Sequence, residues 1–171
     1  MTLQENTFVV MGVSGVGKTS AARVLADALG GDYVEADEFH PPENIAAMSA
    51  GVPLNDAMRA PWLTALGRHV AQMHAARGSR PVIVACSALK RAYRDILRDE
   101  IGAVCFVYLH APRDLIAARM AARKDHYMPP SLLDSQFAAL EPPGTQERFI
   151  PIDVSGSRED VAKALRAAVG A

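Results

Sequence analysis

The octapeptide Gly12-Val13-Ser14-Gly15-Val16-Gly17-Lys18-Thr19 concentrates the residue types that phosphate binding needs. Glycines let a backbone curl until successive N–H groups converge on anionic oxygens, and the spacing Gly-x-x-x-x-Gly-Lys-Thr adds a cation and a hydroxyl at the end of the curl. An apolar run, Phe8-Val9-Val10-Met11, precedes it, and a helical pattern, Ala21-Ala22-Arg23-Val24-Leu25-Ala26, follows. In that setting the unpaired N–H groups and partial positive charge of a helix N-terminus reinforce the loop. The expected phosphate contacts are Gly12, Ser14, Gly15, Val16, Gly17, Lys18, Thr19 and Ser20. Lys18 reaches the β/γ oxygens and Thr19 helps to hold Mg²⁺. The chain reads as a binder of a nucleoside triphosphate.

Further candidates stand beyond this loop. Glu35 and Asp37 lie two residues apart at a strand end, so both carboxylates can face the loop. One can orient an attacking hydroxyl and the other join the Mg²⁺ shell; an acidic turn solvating a strand end is the plain alternative. The run Pro81 to Lys90 ends with Ser87 and Lys90 but no aspartate, unlike motor and hydrolytic ATPases, and no guanine-reading Asn/Thr-Lys-x-Asp occurs. Lys90, with Arg91 and Arg94 close behind, suits an anionic acceptor; a solvated helix face is the plain alternative for both arginines and the favoured one for Arg91. Arg119 and Arg123, four residues apart on one helix face, are expected to clamp phosphates or stack on a base. His40, Arg59 and His126 fall in two insertions, and Trp62 is expected to anchor the first of them in the core.

Positioning these groups requires alternating elements. Apolar runs at Phe8–Met11, Tyr33–Glu35, Val82–Cys86, Val104–Leu109 and Phe149–Ile152 predict strands. Most are continuous, as in a parallel sheet covered on both faces. Helical patterns at Thr19–Leu29, Asp56–Arg77, Leu89–Arg98, Arg113–Arg123 and Glu159–Val169 separate them, giving an α/β fold with right-handed crossovers. Gly30-Gly31 fits a helix stop and Pro112 a helix start. Insertions at about 38–62 and 119–144 are assigned to an acceptor pocket and a lid within one domain, 1–171. Both emerge near the carboxyl ends of the strands, where open α/β sheets bind ligands.

The 171 residues carry a formal net charge of −1, which supplies no basic footprint for nucleic acid or an anionic membrane. Cys86 and Cys105 sit in apolar strand-like segments without metal-ligand spacing and read as buried core thiols in a reducing compartment, with a bridge between them as the alternative. With no signal-peptide pattern at the N-terminus and no membrane-length apolar run, a soluble, cytoplasmic protein is expected.

Taken together the motifs resemble gluconokinase. They are the phosphate loop; Ala36-Asp37-Glu38-Phe39-His40-Pro41; Asn44-Ile45-Ala46-Ala47-Met48 through Pro53-Leu54-Asn55-Asp56; Arg59-Ala60-Pro61-Trp62-Leu63; Cys86-Ser87-Ala88-Leu89-Lys90; His126-Tyr127-Met128-Pro129-Pro130; and Ser135-Gln136-Phe137. The match runs from about Phe8 to Ile152. The resemblance implies ATP- and Mg²⁺-dependent phosphorylation of D-gluconate at its 6-hydroxyl. It also implies a P-loop fold like nucleoside monophosphate and shikimate kinases, with a five-stranded parallel sheet ordered 2-3-1-4-5 and a lid. Some members are homodimers. By position, Asp37 would meet the acceptor hydroxyl and Arg59, Lys90 and Arg94 the gluconate. Arg119 and Arg123 would be lid arginines, with His40 and His126 also at family positions. Glu35 stands where the family usually has aspartate. The rival readings are a kinase for shikimate or another sugar acid, and a nucleotide-binding switch without transfer activity.

Overall fold

The computed structural model describes residues 6–123 and 130–171. Five parallel strands form one sheet: β1 Thr7–Met11, β2 Asp32–Glu35, β3 Val82–Ala85, β4 Cys105–His110 and β5 Phe149–Asp153, in the spatial order β2-β3-β1-β4-β5. The order and all five strands match the expectation, with ends shifted by one residue. Around the sheet lie α1 Lys18–Leu29, α2 Pro42–Ser49, α3 Asp56–Arg77, α4 Arg91–Ile101, α5 Arg113–Ala121, α6 Pro130–Ala139 and α7 Arg158–Ala168.

Strand alternation divides the core into two layers. In register, Val9 of β1 pairs with Val84 of β3 and Phe106 of β4, and all three face one side with Trp62, Leu66 and Leu97 of α3 and α4. Val10, Ile83 and Val107 face the other side and meet Leu25, Ile116 and Leu165 of α1, α5 and α7. Burying each such side chain contributes about 1.5–3 kcal/mol, and both faces are covered, which explains why the central strands β1, β3 and β4 read as apolar runs.

The helix ends follow local chemistry. Gly30, in the left-handed region at φ 63°, stops α1, and Asn55 caps α3 by accepting from the Met58 N–H at 2.8 Å. Gly67 lets α3 approach α4, since a Cβ there would lie 2.6 Å from the Glu100 Cβ. The insertions are more ordered than their proline-rich sequence suggests: the first holds a 3-10 turn at Ala36–Phe39 and α2, and the second holds α6. Pro42 and Pro130 begin helices rather than loops, because proline's missing N–H costs nothing in a first turn. Cys86 and Cys105 are buried and no disulfide joins them.

Candidate active site

The loop between β1 and α1 curls as its glycines permit. Gly12 has φ 148°, and a Cβ there would lie 2.8 Å from the Leu109 oxygen. Gly15 has φ 82° and lies so close beneath Met120 that a Cβ would approach its Cγ to 2.5 Å. Lys18 Nζ donates to the Gly12 and Val13 carbonyl oxygens, both at 3.0 Å, so the cation lies across the start of the loop. Burial holds this lysine below its ordinary pKa, against the opposing pull of Cys86, Asp37 and Glu35. Burial also pushes the Cys86 thiol up to about 12, which keeps it protonated beside the cation.

At the helix end of the loop, Thr19 Oγ1 donates to Glu35 Oε2 at 3.1 Å. The Tyr33 hydroxyl donates to the same oxygen. The strand end thus carries Glu35 to Thr19, and the extra methylene relative to aspartate is used in that reach. Among the described residues no three His, Cys, Asp or Glu side chains gather as a metal cage. A hydroxyl beside one carboxylate nevertheless fits Mg²⁺, which commonly takes its remaining ligands from phosphates and water. Asp37, expected to meet the acceptor, is exposed in the 3-10 turn two residues on.

The acceptor side assembles from four segments. His40 stacks on Trp62 with centroids 4.1 Å apart, and its Nδ1 lies 3.2 Å from Asn44 Nδ2. Burial lowers the His40 pKa; Asp37 opposes that shift and Arg59 adds to it. Trp62 is buried, as expected of an anchor, and its indole N–H donates to the Ala36 oxygen at 2.7 Å. Arg59 donates to the Leu54 oxygen at 2.6 Å and to the Tyr93 hydroxyl at 3.3 Å. Lys90 pairs with Asp56 at 3.1 Å, and the Tyr93 hydroxyl donates to the same carboxylate. Hydrogen bonds from Tyr93 and then Lys90 hold the Asp56 carboxyl below its usual range. Tyr93 and Asp56 are the members of this cluster that sequence reading left without a site role. Their signal was positional: Tyr93 follows Lys90 by three residues, one helical turn.

Three expected groups are placed differently. Arg94 is fully buried, and its N–H donors are consumed by Glu147 (2.7 and 3.0 Å), the oxygens of Ala88 and Leu89, and the oxygen of Glu141. It braces the loop carrying Lys90 from beneath, with Ala88 at the unusual φ of 44°, and has no donor left for a substrate. Arg119 donates to the oxygens of Val154, Ser155 and Gly156, just beyond β5, rather than toward Lys18. Arg123 is exposed and lies beyond α5, which ends at Ala121, so one helix face does not carry both arginines. His126 lies outside the described residues.

A family model described as an AAA domain matches residues 8–143. The "Probable gluconokinase" of Xenopus tropicalis is 45% identical over 85% of this chain and 84% of its own length. The "Gluconokinase" of Gluconobacter oxydans is 43% identical over 89% and 84%. The chain belongs to the gluconokinase family. A gluconokinase structure from Sinorhizobium meliloti agrees at TM-score 0.85 and 43% identity, covering 96% of this chain and 91% of that one. A shikimate kinase structure from Bacteroides thetaiotaomicron, 16% identical with TM-score 0.65, shares the fold alone. The family thus accounts for the five-stranded P-loop architecture and for an enzyme that uses ATP.

Proposed function

We infer that this protein transfers the terminal phosphoryl group of ATP to D-gluconate at the 6-hydroxyl, giving 6-phosphogluconate and ADP. The observation that carries this reading is the likeness to gluconokinases across nearly the whole chain, at 43% identity over 96% of it for the S. meliloti structure. The geometry supports it: one sheet edge bears a phosphate loop, an exposed acid and a cationic cluster suited to an anionic sugar acid.

Phosphoryl transfer asks mainly for positioning and charge neutralisation. Lys18 is assigned to the β/γ-phosphate oxygens, leaving the loop carbonyls it now contacts for the incoming charge. The N–H groups of Gly15 and of Gly17 to Ser20 cradle the phosphates, while those of Gly12, Ser14 and Val16 already donate within the protein. Asp37 accepts the proton of the acceptor hydroxyl and orients it. Thr19 and Glu35 would hold Mg²⁺, with Tyr33 steadying Glu35; when bound, the ion would neutralise phosphate charge. Arg59 and Lys90 take the gluconate carboxylate and hydroxyls, which would loosen the present Lys90–Asp56 pair, with His40 lining the pocket. Arg119 contacts the loop after β5 and is assigned to the base side of the nucleotide, with Arg123 beside the phosphates. Arg94 supports Lys90 and is not counted among the substrate contacts. We place the enzyme in the cytoplasm as a single domain, and no described helix is long and apolar enough to cross a membrane.

The test is ADP release from Mg-ATP across D-gluconate, other aldonates, shikimate and neutral sugars. A response confined to D-gluconate is expected. A response to shikimate instead, or silence with ATP still bound, would overturn the assignment.

A further inference from the structure

The inward face of α6 carries Leu133, Gln136 and Phe137, and Leu140 just beyond its end completes the i, i+3, i+4, i+7 spacing of a packed stripe. Leu133 is buried, and Phe137 and Leu140 pack on the same core. One member of that stripe is polar. Gln136 reaches across 122 positions of sequence to Ser14, where its Oε1 accepts the Ser14 backbone N–H at 2.6 Å. Its Nε2 donates to the Ser14 hydroxyl at 2.7 Å. Both ends of the amide are therefore engaged with one loop residue, and the second N–H of Nε2 has no partner among the described residues. An ion pair between Arg113 of α5 and Asp134 of α6 holds the helix from the other side.

A phosphate loop exists to present N–H groups to anionic oxygens, so a neutral side-chain carbonyl on one of those N–H groups needs a reason. The two ends of the loop serve different phosphates. The Lys18–Ser20 end opens α1 and meets Glu35. The Gly12–Ser14 end is tied to the acceptor side, because the Gly12 N–H donates to the Ser87 oxygen at 3.3 Å, three residues before Lys90. The phosphoryl group to be transferred must lie next to the acceptor, and so next to Ser14.

We propose that Gln136 is a positioning residue for the terminal phosphoryl group. Acting through Ser14, it fixes the acceptor-side limb of the loop so that the site distinguishes a nucleoside triphosphate from a diphosphate. Its amide carbonyl stands in for a phosphate oxygen on the Ser14 N–H, and its uncommitted N–H is available to the terminal phosphate. The proposal rests on the reading of the loop as an ATP site.

The experiment measures binding of ADP and of a non-hydrolysable ATP analogue, both with Mg²⁺, by calorimetry. In Gln136→Leu the analogue is expected to bind about tenfold or more weakly, the size of a lost hydrogen bond to a charged group. ADP affinity should stay within about twofold. Gln136→Glu keeps the reach but sets a carboxylate beside the phosphate, so it should weaken the analogue further and again spare ADP. Adding Ser14→Ala to Gln136→Leu should cost less than Ser14→Ala alone, because the two act as one unit. If Gln136→Leu does not fold, the glutamate variant carries the test alone. Parallel losses of ADP and analogue, or no loss of either, would overturn the role of Gln136. A parent protein that binds neither nucleotide would instead sink the reading of the loop itself.

Discussion

The phosphate loop and the acceptor cluster share one edge of the sheet but are held in opposite ways. The loop is a single octapeptide whose shape follows from its own glycines, its lysine folded against its own carbonyls. The acceptor cluster draws Asp56 and Arg59 from α3, Lys90 and Tyr93 from around the start of α4, and His40 from the segment after the 3-10 turn. Within it Lys90 is paired with Asp56. A site made from contiguous residues leans on few outside contacts, here those of Gln136 and Ser87; one made from three segments is only as good as the packing that assembles them.

The contrast is tested most severely at Lys18. Lys18→Ala should lower kcat about 10³-fold, the scale of removing a positioned charge-stabilising donor, while the melting temperature stays close to that of the parent. Near-normal turnover would remove Lys18 from the mechanism. Arg94→Met should behave in reverse. It leaves Glu147 buried without its main partner, and loss of one member of a buried ion pair costs about 3–5 kcal/mol of stability. Chemical denaturation would read that loss, and gluconate KM should worsen with it while affinity for ATP is largely kept. An unchanged denaturation midpoint would show that the brace is dispensable.

The same brace sets an acid limit. Burial alone would raise the Glu147 carboxyl, but hydrogen bonds from Arg94 and Arg98 overcome it and leave the pKa below the ordinary value. A depressed carboxylate stabilises the fold above its unfolded-state pKa, and that contribution disappears as pH falls through the folded value. Glu147→Gln should therefore flatten the fall in melting temperature on going from neutral pH into the acid range below pH ~4.3. A variant that tracks the parent at every pH would place the acid sensitivity elsewhere.

Lys90→Ala sharpens the comparison from the acceptor side. It should raise gluconate KM roughly 10–100-fold, as expected for a lost charge-assisted contact, with little change in ATP affinity. Equal weakening of both substrates would assign Lys90 to the loop instead. The smallest effect is expected at Tyr33→Phe, which removes one hydrogen bond to Glu35 and should raise the Mg²⁺ concentration for half-maximal rate by only a few-fold. An unaltered metal requirement would detach Tyr33 from the metal site.

The difference in construction is also a difference in legibility. The central strands β1, β3 and β4 were readable because burial on both faces leaves an apolar run, the edge strands β2 and β5 from shorter apolar runs, and the phosphate loop because its chemistry is local. Helices α2 and α6 were not, since His40-Pro41-Pro42 and Met128-Pro129-Pro130 look like loop sequence until the last proline is seen to open a helix. Arg94 was misread for a related reason. Sequence places it one turn after Lys90, but only packing shows that it points inward to Glu147, 53 residues away. Gln136 passed unnoticed as a site residue because its partner is 122 residues distant.

By itself the sequence determined the strand pattern, the α/β class, the phosphate loop and, through its motifs, the family resemblance, because each depends on neighbours or on a fixed short spacing. The tertiary structure alone decided which cations face solvent and which are spent inside, that Tyr33 and Glu35 reach Thr19, that Tyr93 joins Asp56 and that α6 touches the loop. Those outcomes depend on the direction of side chains brought together from distant segments, and direction is set by packing rather than by residue type.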